Sequence, residues 1–152
     1  MQTRRDTLRQ GALVTGALAA GSLLSQPALA FNKAAFDSKQ MAGALKGLGV
    51  NSPLAESKDV SLTAPDIAEN GAVVPMTVAT TLPNVKEMLL MVEKNPAPLV
   101  AMFTVSPEVE ANFATRSKMG QSSDVYAIAV TTDGKALYAK KEVKVTLGGC
   151  GG

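Results

Sequence analysis

The stretch from Asp124 to Leu147 reads DVYAIAVTTDGKALYAKKEVKVTL. Two runs rich in β-formers, Asp124–Thr132 and Ala136–Leu147, flank the dipeptide Asp133-Gly134. Asp-Gly between two such runs predicts a β-hairpin, because tight hairpin turns need backbone conformations that Asp and Gly tolerate. In the second run Val143, Val145 and Leu147 alternate with Glu142, Lys144 and Thr146. A period of two predicts a strand with one wet face and one buried face. Working toward the N-terminus, the same grammar repeats. Strands are predicted near Val60–Thr63, Ala72–Thr81, Glu87–Glu93, Leu99–Ser106 and Ala111–Lys118, with breaks at Leu82-Pro83-Asn84 and Asn95-Pro96-Ala97-Pro98. Pro75 cannot donate to a ladder, so its strand is expected at an edge or to carry a bulge. Only Phe31–Leu48 reads as a helix: Phe36, Met41, Ala44, Leu45 and Leu48 recur near helical spacing. Asp37 or Ser38 is its expected cap, and Gly47 and Gly49 mark its end. About seven short strands with regular turns predict an all-β, immunoglobulin-like β-sandwich with an N-terminal helix. A small barrel is the rival architecture. The Cys…Trp…Cys core of antibody domains is absent.

Beyond Leu147 the chain ends Gly148-Gly149-Cys150-Gly151-Gly152. Glycine carries no side chain and samples both signs of φ, so these residues are expected to form a narrow, flexible arm. Three residues from Leu147 to Cys150 span at most about 10 Å. A thiol on such an arm fits a narrow channel in another protein. No neighbouring side chain in sequence activates it, which suits a carrier whose partner supplies the activation. A prenylation box needs its Cys fourth from the end, and here only two residues follow Cys150. Ubiquitin-like sulfur carriers also end in Gly-Gly. They need ATP-dependent adenylation, out of reach of an exported protein, and their long central helix between strands is not found here.

The chain has 152 residues, 46% of them hydrophobic, 18% charged and 4% aromatic, with no His, no Trp and one Cys. The missing His speaks against zinc hydrolases, Ser-His-Asp hydrolases and Cys-His proteases. One Cys excludes an internal disulfide and a clustered-thiolate metal site. At the other end, Met1-Gln2-Thr3-Arg4-Arg5-Asp6-Thr7-Leu8-Arg9 precedes a Gly/Ala/Leu-rich run and the small-residue signal Ala28-Leu29-Ala30. This is the pattern of a cleaved signal peptide over residues 1–30, of twin-arginine type with Thr7 as its irregularity; the rivals are a general secretory signal and an uncleaved anchor, the latter weakened by Gly11, Gly16, Gly21, Ser22 and Ser25. The domain expectation is therefore a leader over 1–30, a helix plus immunoglobulin-like domain over 31–147, and an arm over 148–152. The leader's Arg4, Arg5, Arg9 and Asp6 account for the whole formal surplus of +2. The mature chain is then nearly neutral and lacks the basic stripe that nucleic acid needs. The expected location is periplasmic, with no membrane contact after cleavage.

The tail Val143–Gly152 resembles the SoxY family of sulfur carriers. Glu69–Met76, Asn95–Val100 and Lys118–Val125 resemble it too. The resemblance implies an immunoglobulin-like fold without a cofactor, a carrier and not an enzyme, in complex with SoxZ. It also implies the chemistry. SoxAX joins thiosulfate oxidatively to Cys150, giving an S-thiosulfonate. SoxB releases sulfate and leaves a persulfide. SoxCD oxidises the remaining sulfur to an S-sulfonate, and hydrolysis restores the thiol. The implied site is Cys150 as covalent attachment point, on an arm of Gly148, Gly149, Gly151 and Gly152.

Other residues read as structural. Lys140, Lys141 and Lys144 are expected on a solvated strand face, and Met88, Met91, Met102 and Met119 as core or interface fillers. Glu108 and Glu110 lack a partner base or nucleophile nearby in sequence. Two functions remain open on the residues: a covalent sulfur carrier, or an exported immunoglobulin-like interaction module whose Cys150 only cross-links it.

Overall fold

The computed structural model describes residues 32–148. Residues 1–31, which take in the expected leader, and residues 149–152, including Cys150, lie outside it. Among the described residues two short helices, α1 (Lys33–Phe36) and α2 (Met41–Gly47), precede nine strands: β1 (Leu54–Glu56), β2 (Val60–Thr63), β3 (Ile67–Ala68), β4 (Val74–Thr80), β5 (Val85–Val92), β6 (Leu99–Thr104), β7 (Asn112–Ser117), β8 (Ser123–Thr131) and β9 (Ala136–Val145). The large sheet has the order β1-β9-β8-β5-β6, with β3 also pairing β9, and the small sheet has the order β2-β4-β7. The result is the expected all-β sandwich with an N-terminal helical segment.

The predicted hairpin is β8–β9. Thr131 N–H donates to the Lys135 carbonyl at 3.0 Å, and Gly134 takes φ +84°, the left-handed region that disfavours any side chain. All seven predicted strands form, within two residues at most ends. Pro75 differs in an instructive way. Its strand is the middle one of the small sheet, yet β2 pairs only Thr77–Thr80, so Pro75 faces β7 alone. The ladder is one-sided where the missing N–H would matter.

The single predicted helix is broken at Asp37–Gln40. Asn32 caps α1, its Oδ1 accepting from Ala35 N–H at 3.1 Å while its Nδ2 donates to the Gly47 carbonyl at 2.7 Å. Asp37 ends α1, and α2 starts after Gln40 without a side-chain cap. The predicted apolar positions still work together. Ala44 and Leu45 are buried, and Phe36, Met41 and Leu48 pack beside them against Leu89, Met91, Ile128 and Val130.

Those contacts explain the unbroken apolar run Met88–Val92. Met88, Leu90 and Val92 point between the sheets, while Leu89 and Met91 point at the helices. β8 does the same, with Val125, Ala127 and Ala129 inward and Ile128 and Val130 toward the helices. Strands buried on both faces lose the alternation that a one-sided strand shows. Each fully buried Leu, Met or Val contributes about 1.5–3 kcal/mol, which offsets the scarcity of aromatics. Where the two sheets end side by side, Phe103 of β6 stacks on Phe113 of β7 at 4.6 Å and closes the gap.

Candidate functional site: the root of the C-terminal arm

β9 delivers the chain to its last described residue, Gly148. Its final turn of backbone is held from two sides. On one side, Lys144 N–H donates to the Asp66 carbonyl at 2.9 Å, and Thr146 N–H to the Ala68 carbonyl at 3.1 Å. Thr146 Oγ1 donates to the Glu69 carbonyl at 3.0 Å. The Leu147 carbonyl accepts from Gly71 N–H at 2.7 Å. On the other side, Val145 N–H donates to Ser122 Oγ at 2.9 Å. The two sides are tied together, because Met119 N–H donates to the Gly71 carbonyl at 2.7 Å. Met119 itself is fully buried in the inter-sheet core.

The third contributor is the β5–β6 turn. Asn95 Nδ2 donates to the Lys118 carbonyl at 2.8 Å, and its Oδ1 accepts from Gly120 N–H at 3.4 Å. Next to it, Lys94 N–H donates to Ser123 Oγ at 3.0 Å. The segments 69–76, 95–100 and 118–125, far apart in sequence, thus meet at one end of the sandwich and brace the strand that leads to Cys150. Gly148 completes the brace. A Cβ placed on it would lie 2.5 Å from the Gly120 carbonyl oxygen, a backbone atom that has no side-chain freedom to retreat. The first glycine of the expected arm is therefore packed against the 118–122 loop. Gly149, Cys150, Gly151 and Gly152 lie outside the described residues.

The surface around the root is apolar and carries charges of both signs, the exposed Asp66, Glu69 and Glu142 among them. Ile67, Val73 and Leu147 are three of the four large hydrophobic side chains exposed among the described residues. Lys94, Lys118 and Lys144 are exposed beside them. Lys141 corrects the expectation of one lysine face. It falls on the opposite side of β9 from Lys140 and Lys144, and its Nζ donates to the Ala64 carbonyl at 2.6 Å and pairs with Asp66 at 2.9 Å. Lys140 pairs instead with Asp124 at 3.2 Å.

Other chemistry-bearing groups are engaged elsewhere. Burial raises the Tyr126 hydroxyl above its usual range, and the neighbouring Glu93 adds to this. The Ser106 hydroxyl lowers Glu108, a hydrogen bond at 2.8 Å within one turn. Met88, Met91 and Met119 are fully buried and Met102 packs beside the helix layer, so the methionines are fillers. Among the described residues no group of three or more His, Cys, Asp or Glu could hold a metal ion. Among them, too, no helix is long and apolar enough to cross a membrane.

The family model of the sulfur oxidation protein SoxY matches residues 46–150. The chain belongs to the SoxY family. The matched span begins in α2 and ends on Cys150, so it takes in the whole braced root. Among solved structures, the chain is similar to the sulfur carrier protein SoxY from Chlorobium limicola f thiosulfatophilum, with 33% identity and a TM-score of 0.64, over 71% of this chain and 97% of that one. A superoxide reductase (neelaredoxin) from Ignicoccus hospitalis is similar at 18% identity and a TM-score of 0.51, over 57% of this chain and 78% of that one. That second likeness is one of fold alone. No curated protein sequence matches the chain. In the sequence the three bracing segments stand out only as points of family resemblance. Their common role, holding the root, needed the topology.

Proposed function

We propose that this protein is the covalent sulfur carrier of a thiosulfate-oxidising system and that Cys150 is the attachment point. One observation carries the reading: a family-matched chain whose only cysteine stands two residues beyond a root braced by three separate segments. A carrier needs a thiol at a defined distance from a stable body, and it needs no acid, base or metal of its own. Residues 1–30 are a cleaved twin-arginine-type leader that sends the protein to the periplasm. Residues 31–147 form the carrier body, and residues from 148 onward form the arm.

The sulfur chemistry balances around Cys150. The thiolate and the sulfane sulfur of thiosulfate form an S–S bond, and two electrons pass to the haem-containing SoxAX. Hydrolysis by SoxB then breaks the bond between the sulfane sulfur and the sulfonate. The water oxygen leaves in sulfate and a persulfide stays on Cys150. SoxCD takes six electrons from that sulfur while three water oxygens add to it, giving an S-sulfonate, and a second hydrolysis releases sulfate and returns the thiol. The carrier's part is to hold and present each adduct. SoxZ is its standing partner in a heterodimer, and the enzymes dock in passing.

Intact mass spectrometry of the mature protein from thiosulfate-grown cells tests this. Sulfane-sulfur or thiosulfonate adducts on Cys150, lost on reduction, are expected. Cys150→Ser is expected to abolish thiosulfate oxidation and leave the fold and SoxZ binding intact. A bare thiol, or only a disulfide-linked dimer, during active turnover would refute the carrier and leave a cross-linked interaction module. Phe31 as the N-terminal residue of the periplasmic protein is the expected mark of leader cleavage.

A further inference from the structure

The sequence invites the view that all four glycines of the tail serve flexibility. The geometry at Gly148 points elsewhere. Its missing Cβ is occupied space: the Gly120 carbonyl oxygen would lie 2.5 Å away and its carbon 3.4 Å away. The residue before it is fixed through its own carbonyl by Gly71 N–H. The carbonyl that Gly148 packs on belongs to a loop whose position is set from outside that loop. Asn95 spans it, with Nδ2 on the Lys118 carbonyl and Oδ1 on the Gly120 amide. Asn95 is itself held, its N–H donating to the Val92 carbonyl at 3.2 Å at the end of β5. An interior strand of the large sheet is thereby linked through one side-chain amide to Gly148, the last described residue before Cys150.

We propose that Asn95 is a positioning residue and that Gly148 is a seat: together they aim the arm, so that the thiol leaves the body at a fixed point and in a fixed direction. The proposal rests on the carrier reading for its purpose, but its geometry does not. Counting from Gly148, Cys150 lies within about 7 Å of a fixed Cα; counting from Leu147, the radius would be about 10 Å. The seat cuts the volume open to the Cys150 Cα to about a third. An enzyme that receives the thiol through a channel has to dock with its channel mouth over the exit point, so a displaced exit point weakens productive docking.

The test uses the mature carrier with its SoxZ partner, and the variants Asn95→Ala, Asn95→Asp, Gly148→Ala and Gly149→Ala. Amide hydrogen exchange is read at Gly71 and Met119, whose N–H groups clasp the root. Asn95→Ala and Gly148→Ala are expected to lower protection there by about tenfold or more, at an unchanged far-ultraviolet spectrum. Asn95→Asp keeps the acceptor for Gly120 and is expected to fall between. Gly149→Ala is expected to leave protection unchanged. Reaction of Cys150 with a small disulfide reagent should stay within about twofold in all four, since no channel is involved. For SoxB acting on the S-thiosulfonate form, KM should rise about tenfold for Asn95→Ala and Gly148→Ala with kcat little changed, because docking is what fails. Unchanged exchange at Gly71 and Met119 in Gly148→Ala, or equal effects of Gly148→Ala and Gly149→Ala, would overturn the seat. Cys150 without any sulfur adduct would overturn the carrier reading instead, and the exchange result would stand apart from it.

Discussion

Met119→Ala is the sharpest probe of how the root is held. Met119 is fully buried in the inter-sheet core, beside Val74, Met76 and Val125 among others, and its backbone N–H holds Gly71. The substitution removes three heavy atoms, Cγ, Sδ and Cε. At about 0.8 kcal/mol for each methylene-sized group, the lost transfer energy is about 2.4 kcal/mol. The walls here are strands of two sheets that cannot collapse onto the gap, so a cavity term brings the total to about 3–4 kcal/mol, inside the range found for Met→Ala in cores. Urea denaturation measures it. With a slope of about 1.5 kcal/mol per molar, the midpoint should fall by about 2 M while the slope stays constant. The control is Ile67→Ala, at a residue 58% exposed, which should cost less than about 0.5 kcal/mol. A loss below about 1 kcal/mol for Met119→Ala, with an unchanged slope, would refute the view that the 118–122 loop is anchored by burial.

Two further outcomes follow from named contacts. Phe103 and Phe113 stack across the ends of the two sheets, so a double-mutant cycle to Leu should return a coupling of about 0.5–1.5 kcal/mol; a coupling near zero would mean that the sandwich closes without them. Asp133 is held at about 2, below its usual 3.8, first by the Thr131 hydroxyl and then by Lys135. A lowered folded-state value stabilises above the ordinary carboxylate range, and that contribution is lost as pH falls from about 4 through about 2. Asp133→Asn should therefore lower the urea midpoint at pH 7, with the gap to the parent shrinking toward pH 2.5; a gap constant with pH would rule this origin out.

Local signals carried most of the fold. Asp133-Gly134 announced its hairpin, and the alternation Val143–Thr146 announced a half-wet strand, because both depend on near neighbours alone. β1 and β3 were not legible: Leu54–Glu56 and Ile67–Ala68 are two or three residues long and pair in parallel with β9 from far away in sequence. The break at Asp37–Gln40 is not legible because helical spacing on its two sides is continuous, while the bond between Asn32 and Gly47 that locks the helices together joins opposite ends of the run. Lys141 was grouped with Lys140 and Lys144 by charge, though strand parity alone puts it on the opposite face. Of the site, Cys150 and the glycines stood out by composition. Asn95, Ser122 and Gly71 did not, since an amide, a hydroxyl and a backbone N–H gain a role only when distant segments meet.

The brace at the root has a consequence for how a carrier of this size works. A group confined within about 7 Å of a fixed point shares a volume of about 1,400 Å³, an effective concentration near 1 M; at about 10 Å the figure falls to about 0.4 M. On the proposed role of Cys150, each residue freed at the root dilutes the thiol at a docked enzyme, and each residue fixed beyond it limits how deep a channel the thiol can enter. Gly148, the last described residue of the brace, stands two residues before Cys150. A constant origin for the arm requires that the last residues of β9 not fray. The bonds from Ala68, Glu69, Gly71 and Ser122 place that strand end among interior loops, and the two-sided burial of β5 and β8 gives those loops a rigid base. The order invested in this end of the sandwich thus acts on the thiol through distance and direction, without any group that touches it.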